Sequence, residues 1–281
     1  MGSLRAALRA ACSMSGFAHV ACRGAPRDLG LDQGRACAAE IATLLGASSR
    51  STLARALTAL RPRAADREIE RDTQRYFPHM AERSAGLARG ARARRLALAA
   101  LSALPERAPA DALRVVQTAR GPCVARAVPT GALAVLRESA PDTDYRSLEL
   151  VGLANVAPFV GVNQHGLAVG AVLLGARAGD CAAPATLLVQ DCLQRFDRVE
   201  KALEWLERRP AGGRALFALA DAFGAVAGYE IDGAARKRSE PSAAPLSPRT
   251  AERCCVVAAD PSARTLGWTF ADGSTGEAGI R

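Results

Sequence analysis

The hydrophobic pattern of the chain changes its period near residue 120, and this change most limits the folds open to it. Before that point, residues 34–45 (GRACAAEIATLL) and 86–104 repeat apolar side chains at helical spacing, and Pro105 is predicted to end the second helix. From Cys123 onward, short segments alternate apolar and polar residues between turn residues, as β-strands do. The sequence therefore predicts a helical part followed by a part that contains the sheets.

Strand pairs are predicted on both sides of a helix pair. The predicted strands cover 124–128, 132–136, 147–154, 156–162, 167–174, 215–220, 225–231, 254–259 and 265–270; the helices cover 185–196 and 198–208; 234–249 is predicted to be a mobile loop. Antiparallel pairs separated by helices favour a layered α+β fold over a parallel doubly wound sheet. We expect an N-terminal extension over 1–20 and one domain over 21–281, with a helical part at 21–122 and a sheet part at 123–281.

The net charge of +9 raises the question of an anionic partner. Lys occurs only at Lys201 and Lys237, and the arginines are scattered among alanines without a basic block that alternates with aromatic residues. Nucleic acid is therefore not expected as a partner. An anion-binding or nucleic-acid adaptor driven by the charge is kept as a third hypothesis, whose affinity would fall steeply with salt.

The composition also argues against metals, nucleotide cofactors and membranes. None of the eight cysteines belongs to a CxxC motif or to a cluster at zinc spacing; they stand at 12, 22, 37, 123, 181, 192, 254 and 255. No GxGxxG or GxxxxGK[ST] motif follows a predicted strand, and no apolar run has transmembrane length. We therefore expect a cytoplasmic protein with reduced thiols, no metal, no cofactor and no membrane partner.

Cys123 is the candidate nucleophile because it stands where the helical part gives way to the predicted sheet. A cysteine there could attack the carbonyl that precedes it, and the freed α-amino group, with a pKa near 8, could then act as its general base. The other interpretation is that Cys123 is a small buried residue at the start of a core strand. Position alone favours this second interpretation.

Several segments resemble motifs of one family. Residues 23–34 (RGAPRDLGLDQG) resemble the opening RGxPxExGxxxG of the acyl-coenzyme A:6-aminopenicillanic acid acyltransferase-like family, a cysteine group of N-terminal nucleophile hydrolases. Further similar segments follow in the family's order: 76–90 to WPxYxxEIxGxAxG, 121–123 (GPC) to the processing site GCT, 131–133 to the next hairpin turn, 161–169 (GVNQHGLAV) to GxNxxGLAV, 221–230 to DxxGxxxxxE, and 260–270 to the closing hairpin. The resemblance covers about residues 21 to 270.

The resemblance implies a four-layer αββα sandwich and an acyltransferase or amide hydrolase. It makes Cys123 the nucleophile, released by self-cleavage at the Pro122-Cys123 bond, which would leave a processed heterodimer of the two halves. The implied partners are a small acylated substrate, with acyl-coenzyme A among the candidates, and an amine or water as acceptor.

The chain departs from the family at several motif positions. Pro122 replaces the glycine before the nucleophile and stiffens the turn. In place of RNxD stands RESAPD, in which Arg137 and Asp142 are the candidate supporting residues, together with Asn163 of GVNQHGLAV. An HTNH-like segment, whose Asn would help to form the oxyanion hole, has no counterpart in 233–253.

These departures support a second hypothesis, a catalytically weakened homologue that binds a small ligand or a protein. The intact Cys123 favours the enzyme. No role is assigned to His19, His79 or His165, and Arg249 aligns too loosely with a family arginine to receive one.

Overall fold

The structure is a computed structural model that describes residues 16–48, 64–95, 98, 110–129, 133–175, 183–242 and 254–280. These ranges form a mixed α+β fold. Its six α-helices are α1 (Pro26–Ala36), α2 (Ala38–Ser48), α3 (Ala64–Tyr76), α4 (Pro78–Gly90), α5 (Leu187–Arg195) and α6 (Val199–Arg208), with a 3₁₀ turn at Ala110–Ala112.

Thirteen strands form two sheets within the described ranges. The strands are β1 (His19–Gly24), β2 (Leu113–Thr118), β3 (Gly121–Pro129), β4 (Ala134–Pro141), β5 (Ser147–Gly152), β6 (Pro158–Asn163), β7 (Leu167–Gly175), β8 (Arg214–Asp221), β9 (Val226–Asp232), β10 (Ala235–Ser239), β11 (Cys254–Asp260), β12 (Thr265–Thr269) and β13 (Thr275–Gly279). The larger sheet has the order β1-β4-β5-β6-β7-β8-β9-β10, and the smaller has the order β13-β12-β11-β3-β2. Among the described strands, β1 and β4 form the one parallel pair, and the other neighbouring strands are antiparallel.

The two sheets share one apolar core. Val124 of β3 and Val257 of β11 belong to the same buried cluster as Val160 of β6 and Ala168 of β7. The contact is close at Gly170, where a Cβ atom would lie 3.0 Å from Cγ1 of Val124. Because side chains alternate along a strand, the neighbours of these core residues point away from the space between the sheets.

Helices cover the other face of the eight-stranded sheet. Leu188 and Leu193 of α5 pack in one cluster with Leu167 of β7 and Phe217 of β8. A second cluster joins α1 and α4 to the end of the sheet that holds β1, β4 and β5. Burying these apolar faces removes the segments from water and fixes the helices on the sheet.

Helices α1 and α4 cross at backbone contact. The contact surfaces are Gly30 and Gly34 on α1 and Gly86 and Gly90 on α4. A Cβ atom on Gly30 would overlap the carbonyl oxygen of Arg83, one on Gly86 would overlap a carbonyl oxygen of α1 equally closely, and Gly34 and Gly90 have backbone neighbours nearly as close. Both pairs are four residues apart, which places each pair on one helix face. The glycines that carry the family resemblance in these segments thus serve helix packing.

The structure corrects three predictions about the chain. Two strands, β1 and β2, lie in the segment predicted to be helical. The strands predicted at 124–128 and 132–136 do not form the hairpin that the turn motif at 131–133 implies: β3 pairs with β2 and β11, whereas β4 pairs with β1 and β5, so the chain changes sheets between them. Strand β10 lies in the predicted loop over 234–249, where exposed side chains leave no apolar alternation to reveal it.

Other predictions are confirmed. Strands β5 to β9, β11 and β12 and helices α5 and α6 form where the sequence predicts them. The turn after Pro129, the linker after Pro105 and Arg249 lie wholly or largely outside the described residues. Among the described helices, none combines the length and apolar character that crossing a membrane requires.

Candidate functional site

Cys123 is the third residue of β3, near the tight turn that joins β2 to β3. It pairs with Val116 across the hairpin, and its neighbour Val124 pairs with Ala259 of β11, the residue before Asp260. The side chain of the next residue, Val124, belongs to the core between the sheets. Alternation therefore directs the Cys123 thiol to the outer face of the five-stranded sheet.

Weak polar contacts surround the thiol. Cys123 Sγ lies 3.8 Å from the hydroxyl oxygen of Thr118 and 4.0 Å from the carbonyl oxygen of Gly121. The Thr118 hydroxyl itself donates to the Gly121 carbonyl at 2.9 Å and accepts the N–H of Arg120 at 3.2 Å. Gly121 has φ +124°, a conformation that residues with a side chain rarely adopt. The peptide before the thiol is thus held by a turn that requires glycine.

Two hairpin turns meet beside Cys123. Arg120 Nη1 lies 3.8 Å from Asp260 Oδ2, and the Ser262 hydroxyl donates to the carbonyl of Arg120 at 3.1 Å. Asp260 Oδ1 accepts the N–H groups of Ser262 and Ala263, each at 2.9 Å. These contacts join the β2–β3 turn to the β11–β12 turn and place one cationic and one anionic side chain near the thiol.

The surroundings raise the pKa of the Cys123 thiol. Burial is the largest cause, and the negative charge of Asp260 acts in the same direction, whereas the Thr118 hydroxyl and the Arg120 guanidinium oppose them. The thiol is therefore neutral at neutral pH. Because the thiolate is the nucleophile, chemistry at Cys123 requires a base.

Arg137 lies in a separate, fully buried network on the helix-covered face of the eight-stranded sheet. Its Nε donates to Glu149 Oε2 at 2.6 Å, and its Nη2 lies 2.5 Å from the same oxygen. Nη1 donates to Gln33 at 2.6 Å, and Nη2 donates to Gln190 at 2.8 Å and to the Val156 carbonyl at 2.9 Å. The guanidinium thus ties β4 to β5, α1 and α5.

Glu149 is the carboxylate that neutralises Arg137. Its Oε1 accepts hydrogen bonds from Ser147 at 2.5 Å and Gln190 at 2.6 Å. Burial opposes ionisation of Glu149, but the charges of Arg137 and Arg83 and these hydrogen bonds outweigh it, so the pKa of Glu149 lies below its ordinary value. The carboxylate is ionised at neutral pH.

The structure does not bring the predicted site residues together. Leu136, the neighbour of Arg137, faces the core between the sheets, so Arg137 points to the helices while Cys123 points outward from the other sheet. Asp142 is exposed in the connection between β4 and β5. Both sheets therefore separate Cys123 from Arg137.

Asn163 closes the turn between β6 and β7. Its Oδ1 accepts the N–H groups of His165 and Leu167, each at 3.0 Å, and its Nδ2 donates to the carbonyls of Leu193 at 2.8 Å and Phe196 at 2.7 Å. All four hydrogen-bonding positions of the amide are used. Asn163 therefore fastens the end of α5 to the sheet.

Asp221 has a matching position at the turn between β8 and β9. Its Oδ1 accepts the N–H groups of Phe223 at 2.9 Å and Ala225 at 3.1 Å. Its Oδ2 accepts the N–H of Val199, the first residue of α6, at 3.0 Å. A carboxylate there accepts a hydrogen bond from an otherwise unpaired N–H of the first helical turn. Its negative charge also interacts favourably with the positive end of the helix dipole.

The remaining candidates have other surroundings. The six described cysteines are free and buried, and Cys12 and Cys181 lie outside the described residues. The described residues contain no group of three His, Cys, Asp or Glu side chains that could hold a metal ion. The histidines have neighbours of their own: His79 Nε2 lies 2.7 Å from Asp191 Oδ1, the rings of His165 and Tyr145 are 4.1 Å apart, and His19 Nε2 lies 3.9 Å from Glu138 Oε2.

Sequence reasoning missed the network around Glu149, although a signal was present. Arg137 and Ser139 are two residues apart on β4, and Ser147 and Glu149 are two residues apart on β5. Residues at alternate positions of a strand share one face, so each pair places its polar side chains on the same side of the sheet. The same alternation could have predicted a polar cluster there.

Comparison with solved structures gives distant likenesses, one of which is an acylase. No protein-family model and no curated protein matches the chain. A penicillin V acylase from Agrobacterium tumefaciens is similar to part of it, with a TM-score of 0.34 and 19% identity over 46% of this chain and 49% of that chain. The match spans about half of the acylase.

Proposed function

We propose that the protein is an acyltransferase or amide hydrolase that uses Cys123 as an N-terminal nucleophile. The proposal includes the four-layer αββα fold. It is supported by the ordered family motifs and by two sheets that share a core, with helices on the outer face of the larger one. The acyl donor would be an amide or a thioester, acyl-coenzyme A among them, and the acceptor an amine or water.

The observation that carries the proposal is the hairpin around Cys123. The thiol follows a Gly-Pro pair whose glycine has φ +124°, and the Thr118 hydroxyl lies 3.8 Å from Sγ. A reactive group next to backbone that only glycine tolerates is an arrangement that cleavage would use.

Self-cleavage would proceed in two balanced steps. Cys123 Sγ attacks the carbonyl carbon of Pro122, so a C–S bond forms, the C–N bond to Cys123 breaks, and the thiol proton passes to the departing amine. Water then hydrolyses the thioester, which leaves a carboxylate on Pro122 and a free thiol on Cys123. The new α-amino group would then serve as the general base for the thiol.

A second candidate is a binding protein of the same fold without activity. Two observations favour it: the hydrogen bonds of Arg137 and Asn163 are directed to structural partners, and burial keeps the Cys123 thiol neutral. In this case the chain stays intact and Cys123 is one more buried thiol.

Intact-mass spectrometry of the purified protein separates the two candidates. If the protein is the proposed enzyme, the wild type should give two chains, residues 1–122 and 123–281. The Cys123→Ala variant should give one uncleaved chain. Cys254→Ala is the matched control, since Cys254 is also buried in the five-stranded sheet, and it should cleave like the wild type. If the wild type stays uncleaved and iodoacetamide does not alkylate Cys123, the proposal that Cys123 is a catalytic nucleophile is wrong.

A further inference from the structure

The buried network around Glu149 holds more positive than negative charge. Arg83 of α4 joins it through a hydrogen bond from Nη2 to the Ser139 hydroxyl at 2.6 Å. Ser139 in turn lies 3.3 Å from Glu149 Oε2. Two guanidiniums, those of Arg83 and Arg137, therefore share the single carboxylate of Glu149.

Arg83 is incompletely bonded although it is almost fully buried. Its exposure is 1%, and among the described residues its Nε and Nη1 have no hydrogen-bond partner. Burial, followed by the charge of Arg137, lowers the pKa of Arg83 to about 9, which still leaves the side chain protonated at neutral pH. Buried guanidinium groups are ordinarily paired, because an uncompensated charge away from water is costly.

The neighbouring groups do not supply the missing negative charge. Glu149 already binds Arg137 through Oε2, while Ser147 and Gln190 occupy Oε1. Cys22 stands beside Ser139 in the β1–β4 pair, but burial raises the pKa of its thiol, so it is neutral at neutral pH. Within the described ranges, the groups around Arg83 therefore leave one positive charge uncompensated, and an anion from solution could balance it.

We propose that Arg83 binds a small inorganic anion of the halide class through Nε and Nη1, between α4 and the β1–β4 edge of the eight-stranded sheet. The ligand is compact because α1 crosses α4 at backbone contact beside Arg83. One monovalent anion balances the two guanidiniums against Glu149. The site is independent of Cys123 and of the proposed acyl chemistry.

Thermal unfolding in chloride tests the site. A ligand that binds the folded state alone raises Tm with concentration, by about 3 °C for each tenfold increase above the Kd in a chain of this size. The wild type is measured in sodium chloride mixed with sodium gluconate at constant ionic strength. We expect Tm to rise as chloride replaces gluconate; an unchanged Tm would overturn the proposal.

Two variants separate the site from general salt effects. Arg83→Met removes both unbonded nitrogens, so the chloride dependence should disappear. Arg126→Met is the matched control: Arg126 is equally buried, but its Nη1 donates to the carbonyls of Phe159 and Ala171. The control should keep the wild-type dependence, and an equal dependence in both variants would contradict the proposal.

Bromide decides the matter on the wild type if Arg83→Met does not fold. Crystals grown in bromide should show an anomalous peak within hydrogen-bonding distance of Arg83 Nε or Nη1. A water molecule at that position, with no anomalous signal, would show that solvent alone compensates the guanidinium and would reject the anion.

Discussion

The surroundings of Arg137 and of Cys123 differ in how fully their polar groups are bonded. Arg137 makes short contacts to Glu149, Gln33 and Gln190 and is completely buried. Among the described residues, the polar contacts of the Cys123 thiol are the long ones to Thr118 and to the Gly121 carbonyl. The family resemblance assigns both residues to one centre, yet they lie on opposite outer faces of the paired sheets.

The two regions are therefore expected to have different roles: the network around Arg137 holds the fold together, and the thiol of Cys123 is available for chemistry. A fully bonded buried network holds its elements together and loses much when one member is removed. A weakly bonded thiol can change partners at little cost. Substitutions at Glu149 should therefore affect stability, whereas substitutions at Cys123 should affect cleavage.

The largest effect is expected for Glu149→Gln. It leaves Arg83 and Arg137 without a carboxylate, and breaking such a buried pair costs about 3–5 kcal/mol of unfolding free energy. Urea unfolding measures the loss. Asp142→Asn is the control, because this exposed carboxyl should change stability by less than about 0.5 kcal/mol. Equal losses of unfolding free energy at the two positions would contradict a stabilising role for the buried network.

Acid should weaken the same network without a substitution. Because the pKa of Glu149 is lower in the folded than in the unfolded protein, the stabilisation is complete above its ordinary value of 4.5. It is lost as the pH falls through the folded pKa, since the unfolded chain takes up the proton first. The difference in unfolding free energy between wild type and Glu149→Gln should shrink below pH 4.5. If this free-energy difference stays constant below pH 4.5, the ionised form of Glu149 is not what stabilises the network.

The glycine crossing above the network should have a smaller effect. Gly30→Ala places a Cβ atom against the Arg83 carbonyl and 2.8 Å from the Leu87 nitrogen, and such overpacking costs about 1–3 kcal/mol. Gly46→Ala in α2 is the control: no atom lies within 4 Å of its Cβ position, so loss of backbone entropy in the unfolded state should stabilise it by about 0.5–1 kcal/mol. A lower Tm for Gly30→Ala together with a higher Tm for Gly46→Ala would confirm the close helix crossing, and equal shifts would contradict it.

The sequence predicts those parts of the fold that depend on neighbouring residues. Strands β6 and β7 and their turn follow from apolar runs around Asn163 and Gly166, and α5 and α6 follow from helical spacing. The motifs at Gly30, Asn163 and Asp221 are also explained, since each has a packing or hydrogen-bonding role.

Pairing between distant strands could not be predicted in the same way. Every interior residue of β3 is buried, so no polar face indicates its partners, and the change of sheet after Pro129 has no local signal. The sequence predicts a supporting catalytic role for Arg137. Its hydrogen-bond partners on α1 and α5 are 104 and 53 residues away along the chain, so no local pattern indicates its structural role. The role of Cys123 stays a prediction, since its surroundings suit a buried thiol and a nucleophile before cleavage.

The smallest effect on stability, and the largest on covalent structure, is expected for Cys123→Ala. The contacts of the thiol within the described part of the chain are long, so its removal should cost about 1 kcal/mol or less in urea unfolding. The same substitution should abolish cleavage before residue 123. Arg137→Met should show the reverse pattern, with a lower unfolding free energy and cleavage retained in the folded fraction. If Arg137→Met folds and does not cleave, the two regions are coupled, and the separation that their opposite positions indicate is wrong.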